Sequence, residues 1–265
     1  MDNKTNRHNR MEPMHWIPDH ASSLLDVGCN AGDLLYDCRQ QYPDMHLAGI
    51  DINHSAVEKA KLKVPDADIR QGFGFELPFP DGQFEYVTCI EVIEHVPKEY
   101  RALLTSEMQR VLAPGGRLVL RCPHAGLFSW LDAQNFRFRF PRIYGAVVGE
   151  GIRDKHYRKA GEELVWHHHF TRQELVGLMG SGWELETCQF GGLVFFPISD
   201  ILRWPFYRTG RANHWMVGAL QRIAAAEFGM DFGGQSYGIL LVLRKTPGPM
   251  HSAETVRGCA TTPAP

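Results

Sequence analysis

Gly28 and Gly32 stand four residues apart, directly after the apolar run Leu24-Leu25-Asp26-Val27. That order reads as a strand covered on both faces, a tight turn, and a helix opening near Asp33. A residue without a Cβ lets the backbone bend sharply and lets a ligand come close. The helix start offers unpaired N–H groups beside it. Such a turn at the carboxyl end of a first strand is where nucleotide-like ligands bind in open α/β sheets.

Two ligand classes use this corner. A pyrophosphate calls for G-x-G-x-x-G, but Asn30 stands where the middle glycine belongs. The carboxylate of Asp26 suits a cationic ligand better. S-adenosylmethionine, with a sulfonium and an ammonium, is such a ligand. The next strand, His46–Ile52, carries Asp51 near its end, where an adenosine ribose presents two hydroxyls.

Histidines are the candidates for proton transfer. His124 follows the fifth strand, at the edge where substrates bind; it reads as a general base or as a loop histidine bonded to backbone. His167, His168 and His169 precede Thr171, and the block serves either as helix-entry packing or as the source of one base, with His168 and His169 as candidates. Alternate side chains of an extended segment point oppositely, so the three cannot all face one ion, and no metal is expected. His95, in Glu94-His95-Val96, reads as structural. Phe136-Arg137-Phe138-Arg139-Phe140 alternates rings and cations, and Arg142, Arg153, Lys155, Arg158 and Lys159 extend it. The segment is either half-buried with solvated arginines or a grip on a phosphate or carboxylate.

The elements that must position these groups alternate strand and helix. Strands are expected at about 23–28, 46–52, 67–72, 84–90, 117–122, 183–190 and 236–244. Helices are expected from Asp33, from a Ser55–Glu58 capping box to about Lys63, from about Lys98 to Leu112, and from a Thr171–Glu174 box through Met179. Trp215, Met216, Ala219, Leu220 and Ile223 recur at helical spacing. This pattern predicts an α/β fold with a Rossmann-like, doubly wound, mostly parallel sheet. Residues 15–245 form the domain, with lid insertions at about 124–170 and 193–235. Residues 1–14 read as a flexible start and 246–265 as a disordered tail.

With a net charge of −2 and a pI near 6.7, no overall field draws the chain to nucleic acid. Six cysteines without a CxxC pair argue against a disulfide framework or structural zinc. No signal peptide is legible at Met1–Arg10, and no apolar run reaches the ~20 residues of a spanning helix. A cytoplasmic protein is expected. Leu193–Ile198 and Ile201–Arg208 combine apolar residues and rings with Arg203, Arg208 and Arg211. They suit peripheral contact with a membrane surface, or simply cover the sheet.

Taken together, Leu24–Gly32, Gly49–Ile52, Leu77-Pro78-Phe79-Pro80-Asp81, Val87–Val96 and Arg110–Gly116 resemble the class I S-adenosylmethionine-dependent methyltransferases, in the type 11 subgroup containing the ubiquinone O-methyltransferases. The resemblance implies a seven-stranded sheet whose last strand runs antiparallel. It implies that Asp26 and Gly28 line the methionine end, with Cys29, Asn30 and Gly32 in the turn. Asp51 takes the ribose hydroxyls, Ile52 flanks the adenine, and Ile90 and Glu91 approach the methionine. Gly72 is followed by Phe73 where the family often has an Asp, Asn30 replaces a frequent glycine, and Glu85 replaces a frequent Asp. The implied activity is O-methylation of a small-molecule or lipid-linked acceptor. N- or C-methylation, and a cofactor-binding module without catalysis, are the alternatives.

Overall fold

The computed structural model describes residues 9–132, 135, 138–140, 142 and 167–246, with the side chains of Asp200, Trp204 and Arg208 outside that description. The elements run β1 (Ser23–Val27), α1 (Asp33–Gln41), β2 (His46–Asp51), α2 (His54–Lys63), β3 (Asp68–Gln71), β4 (Phe84–Ile90), α3 (Lys98–Val111) and β5 (Leu112–Pro123). They continue with α4 (Arg172–Met179), β6 (Trp183–Gly191), α5 (Phe195–Arg208), α6 (Trp215–Phe228) and β7 (Gly238–Lys245). The strands form one sheet in the order β3-β2-β1-β4-β5-β7-β6. Pairing is parallel from β3 to β5, and β7 runs antiparallel to both β5 and β6. The doubly wound sheet with an antiparallel last strand is therefore as the sequence predicts.

Period-two alternation distributes the core. Leu25, Val87, Leu118, Leu120 and Leu241 point to the face covered by Leu104 and Met108 of α3 and Leu175 of α4. Leu24, Leu47 and Tyr86 point the other way, onto Leu35 and Cys38 of α1 and Val57 and Ala60 of α2. Further along that side, Val119, Leu240 and Val242 meet Phe228 of α6, Phe196 of α5 and Met11. Both faces are covered, which is why the central strands read as unbroken apolar runs.

Three local expectations are corrected. Helix α2 is not opened by Ser55: it starts one residue earlier, and the Asn53 side chain accepts from Ala56 N at 3.2 Å. An Asx cap with non-helical backbone outcompetes a serine already inside the first turn. β5 begins at Leu112, which pairs with Phe84; Ala113–Gly116, with Gly115 at φ 77, is accommodated as a register irregularity opposite Phe84–Tyr86. β7 begins at Gly238, since Ser236 closes a turn on Gly233 O. The Thr171–Glu174 capping box at α4 is present in both directions. Within 193–235, α5 and α6 pack on each other. Phe136, Arg137, Arg153, Lys155, Arg158 and Lys159 lie outside the described residues, as do 1–8 and 247–265.

Candidate cofactor and acceptor site

The carboxyl ends of β1, β2 and β4 meet at the glycine turn. Gly28 N and Cys29 N both donate to Ile50 O, at 2.8 and 3.0 Å, so β2 clamps the turn. Gly28 has φ +80, Asn30 φ 46 and Gly32, the N-cap of α1, φ 77. A Cβ at Gly28 would lie 2.2 Å from Val92 Cγ2, so glycine is required there twice over. Asn30 tolerates the left-handed backbone better than most residues, which explains how the turn does without a third glycine. Asp51 Oδ2 accepts from Asn30 N and Oδ1 from Asn53 N, both at 2.8 Å. This carboxylate therefore fixes the turn.

Asp26 is 4% exposed and accepts from the Thr88 hydroxyl at 2.7 Å. Burial pushes its carboxyl up to about 7, with Thr88 opposing and the charge of Asp51 adding. Burial and the same two carboxylates hold the Cys29 thiol far above its usual range, so Cys29 is no nucleophile. Past the ends of β2 and β3, Ile52 and Phe73 are both exposed. Phe73 stacks on Phe75 at 4.9 Å, and Phe75 on Tyr100 at 4.6 Å. Two carboxylates at a left-handed turn, next to two exposed apolar side chains, fit the cations, ribose and adenine of S-adenosylmethionine.

Glu91, the residue after β4, has φ 55. A left-handed glutamate is held by its surroundings: its N–H donates to Arg121 O and its carboxylate pairs with Arg121 Nε, each at 2.9 Å. Arg121 also donates to Met11 O, tying the N-terminal segment to this corner. Ile90 packs with the cluster containing Met11 and Phe228.

A second group assembles just beyond. The 3-10 turn Ile93–His95 carries Glu94, fully buried, and His95, whose side chain is half exposed. His167 Nδ1 lies 2.6 Å from Asp132 Oδ2, and its Nε2 lies 3.3 Å from His95 Nε2 and 3.6 Å from Glu94 Oε1. Burial alone would lower the His167 imidazole, but Asp132 and Glu94 outweigh it and raise it. Burial raises the Glu94 carboxyl, and burial together with His167 lowers His95 to about 4. His169 Nε2 approaches the same Asp132 oxygen at 3.2 Å.

The proposed bases are placed differently from one another. His124 is buried; its N–H donates to Tyr237 O and Nδ1 lies 2.9 Å from Ser236 O, a clip between β5 and the chain entering β7. His168 turns to the side opposite its neighbours and packs edge-on to Phe170. His169 joins the Asp132 cluster. The sequence does not mark Glu94 or Asp132 as site residues, and it offers His167 only as one of the three-histidine block. The available signals were the acid–histidine pair directly after strand four and the two-residue spacing of His167 and His169.

Residues 25–120 match the family described as a methyltransferase domain. A demethylmenaquinone methyltransferase of Listeria welshimeri is 30% identical over 160 residues, 57% of this chain and 63% of that protein. One of Deinococcus radiodurans is 32% identical over 133 residues, 48% and 54% of the two chains. The chain thus spans less than two thirds of the length of these relatives. Among solved structures, a S-adenosylmethionine-dependent methyltransferase of Methanosarcina mazei superposes with a TM-score of 0.55 at 21% identity, over 89% of this chain and 98% of that one. A geranyl diphosphate C-methyltransferase of Streptomyces coelicolor gives 0.52 at 14% identity, over 85% and 73%. Residues 25–120 thus match a methyltransferase domain, and the chain shares its fold with solved S-adenosylmethionine-dependent methyltransferases.

Proposed function

We propose that this protein transfers a methyl group from S-adenosylmethionine to a hydroxyl of a ring-bearing, small-molecule or lipid-linked acceptor. The name of the sequence relatives supports a quinone-type ring. The observation that carries the reading is the His95–His167–Glu94 group at the edge of the sheet, next to the glycine turn. When the acceptor oxygen forms its bond to the methyl carbon, the carbon–sulfur bond breaks with its electron pair left on sulfur. The hydroxyl proton must then find a base. His95 is uncharged at neutral pH and half exposed, so it is the group we assign to take that proton. Asp51 holds the ribose, Asp26 balances the cationic end, and the Gly28–Gly32 turn sets the cofactor's approach. Methylation of a ring carbon is the second reading; it also releases a proton to this group.

Product analysis separates the readings. Incubation with methyl-labelled S-adenosylmethionine and a panel of quinols, catechols and polyprenylated phenols is expected to give a methoxy product. A ring-methyl product selects the second reading. Cofactor binding without any product selects the non-catalytic module.

The acceptor's class bears on where the protein works. Ile201, Leu202, Tyr207, Trp215, Met216 and Ile223 are all exposed on the α5–α6 pair, with Trp215 at 73%. No helix among the described residues is long and apolar enough to cross a membrane. We assign this face to peripheral contact with a lipid surface from the cytoplasmic side. Co-sedimentation with anionic liposomes at low salt is expected for the wild type and weakened by Trp215→Ala; absence of wild-type sedimentation removes the membrane part.

A further inference from the structure

We infer that Asp132, His167 and His169 form a binding site for one divalent transition-metal ion, with zinc favoured by the donor set. The three donors come from two segments. Asp132 follows the 3-10 turn Ser129–Leu131 after β5, and the two histidines lie on the chain that leads into α4. Residues two apart on an extended segment share a side. His167 and His169 therefore meet one carboxylate, while His168 faces away.

The side chains are 3%, 10% and 8% exposed, and their donor atoms all lie within 4.8 Å of one another. Asp132 Oδ2 is 2.6 Å from His167 Nδ1 and 3.2 Å from His169 Nε2. Ligand atoms around a tetrahedral zinc, at about 2.0–2.2 Å from the ion, stand roughly 3.3 Å apart. The His169 contact is already at that spacing, and the Asp132–His167 contact would have to widen by about 0.7 Å to admit the ion.

An independent observation asks for a ligand. His169 Nε2 is buried, yet among the described residues it has no hydrogen-bond partner, because its approach to Asp132 is out of line. Both oxygens of the fully buried Glu94 are in the same condition. Unpaired buried polar atoms are costly. An ion on His167 Nδ1 and His169 Nε2 satisfies the first. It also leaves His167 Nε2–H to be donated toward Glu94 Oε1, 3.6 Å away, the carboxylate–histidine–metal arrangement that orients ligands. The backbone beneath is already fixed. Asn135 is fully buried and bonds His167 through both N–H and C=O, at 2.9 and 2.8 Å. Two imidazoles and one carboxylate select a borderline transition ion over magnesium, whose preference is for oxygen. Three protein ligands leave a fourth position for water.

The test uses the full chain without an affinity tag, stripped with a chelator and titrated with Co2+ and Zn2+. One equivalent is expected to bind, with the visible absorption of tetrahedral Co2+ bleached by Zn2+ and untouched by Mg2+. Zn2+ is also expected to raise the thermal midpoint. Asp132→Asn and His169→Ala should each weaken binding at least a hundredfold, whereas His95→Ala and His168→Ala should retain it. If His169→Ala fails to fold, His169→Gln replaces it, with folding checked by circular dichroism. Absence of saturable Co2+ binding overturns the site and leaves ordered water as the partner of His169. Binding that survives the His169 substitution but is lost in His95→Ala also overturns it.

Discussion

Around Gly28, five of the residues assigned to the cofactor come from one stretch, Asp26 to Gly32, and Asp51 follows at the end of the next strand. Around His167, the neighbours come from positions 94, 95, 132 and 169. The first corner is fixed by backbone conformation: two left-handed glycines, a left-handed asparagine, and three N–H bonds to Ile50 O and Asp51. The second is fixed by side chains reaching across loops, with Asn135 as the brace. Local backbone chemistry leaves a signature at fixed spacing, whereas side-chain assembly leaves almost none. The two corners should also break differently under mutation.

The largest effect is expected at the first corner. Gly28→Ala would force a Cβ to 2.2 Å from Val92 Cγ2 at φ +80. The left-handed backbone costs about 1–2 kcal/mol for an L-residue, and overpacking adds about 1–3 kcal/mol. A fall in thermal midpoint is expected, with loss of S-adenosylmethionine binding by calorimetry. Wild-type affinity in a folded Gly28→Ala variant would show that the turn does not carry the cofactor.

At the second corner the expected loss is in turnover, not in cofactor affinity. His95→Ala should reduce turnover ~10²-fold, the usual scale of a lost general base. His168→Ala, on the opposite side, should leave turnover near wild type. His124→Ala should lower stability by about 1–3 kcal/mol through the orphaned Ser236 carbonyl. Equal losses at His95 and His168, measured as kcat with cofactor binding unchanged, would erase the distinction between the corners.

That asymmetry decides how much was legible in the chain. The sheet, its antiparallel last strand and the glycine turn follow from apolar runs, glycine spacing and the family's motif order. The long connection could be recognised from its length, but the fate of its histidines could not. His124 sits at the edge where a base is wanted, yet the carbonyls of Tyr237 and Ser236, more than a hundred residues on, claim both its N–H and its ring. Asp132 carries no local mark, because its meaning depends on His167, 35 residues later. The same holds for Ser55: only the backbone angles show that Asn53 caps α2.

Asp51 belongs to the first corner but borrows the second's manner, since its side chain does the holding. Asp51→Ala removes the carboxylate oxygens that accept from two backbone N–H groups at 2.8 Å, as well as the proposed ribose contact. Hydrogen bonds to charged groups contribute about 1.5–3 kcal/mol each, so affinity for S-adenosylmethionine should fall more than tenfold. A modest drop in thermal midpoint is expected too. Asp51→Asn keeps one acceptor oxygen and should recover part of both. If it restores stability but not affinity, the carboxylate serves the ribose separately from the turn.

The smallest effect is a pH dependence at Asp26. Burial raises its carboxyl to about 7 from the ordinary 3.8, against the hydrogen bond from Thr88 and with help from the charge of Asp51. The folded state therefore holds a proton that the unfolded chain releases, and stability without ligand falls as pH rises from about 4 to about 7. Cofactor binding should run the other way. A sulfonium and an ammonium favour the charged carboxylate, so below pH 7 the cofactor must displace a proton. One group titrating near 7 predicts an affinity about tenfold greater at pH 8 than at pH 6, with proton release on binding. Asp26→Asn keeps an acceptor for Thr88 and removes the charge. In that variant, affinity should be flat with pH, and stability should exceed wild type above pH 7 while converging with it near pH 4. Calorimetry in buffers of different ionisation enthalpy reads the proton directly. A pH-independent wild-type affinity would place the cofactor's cationic end away from Asp26, and would leave that carboxylate with a purely structural partner in Thr88.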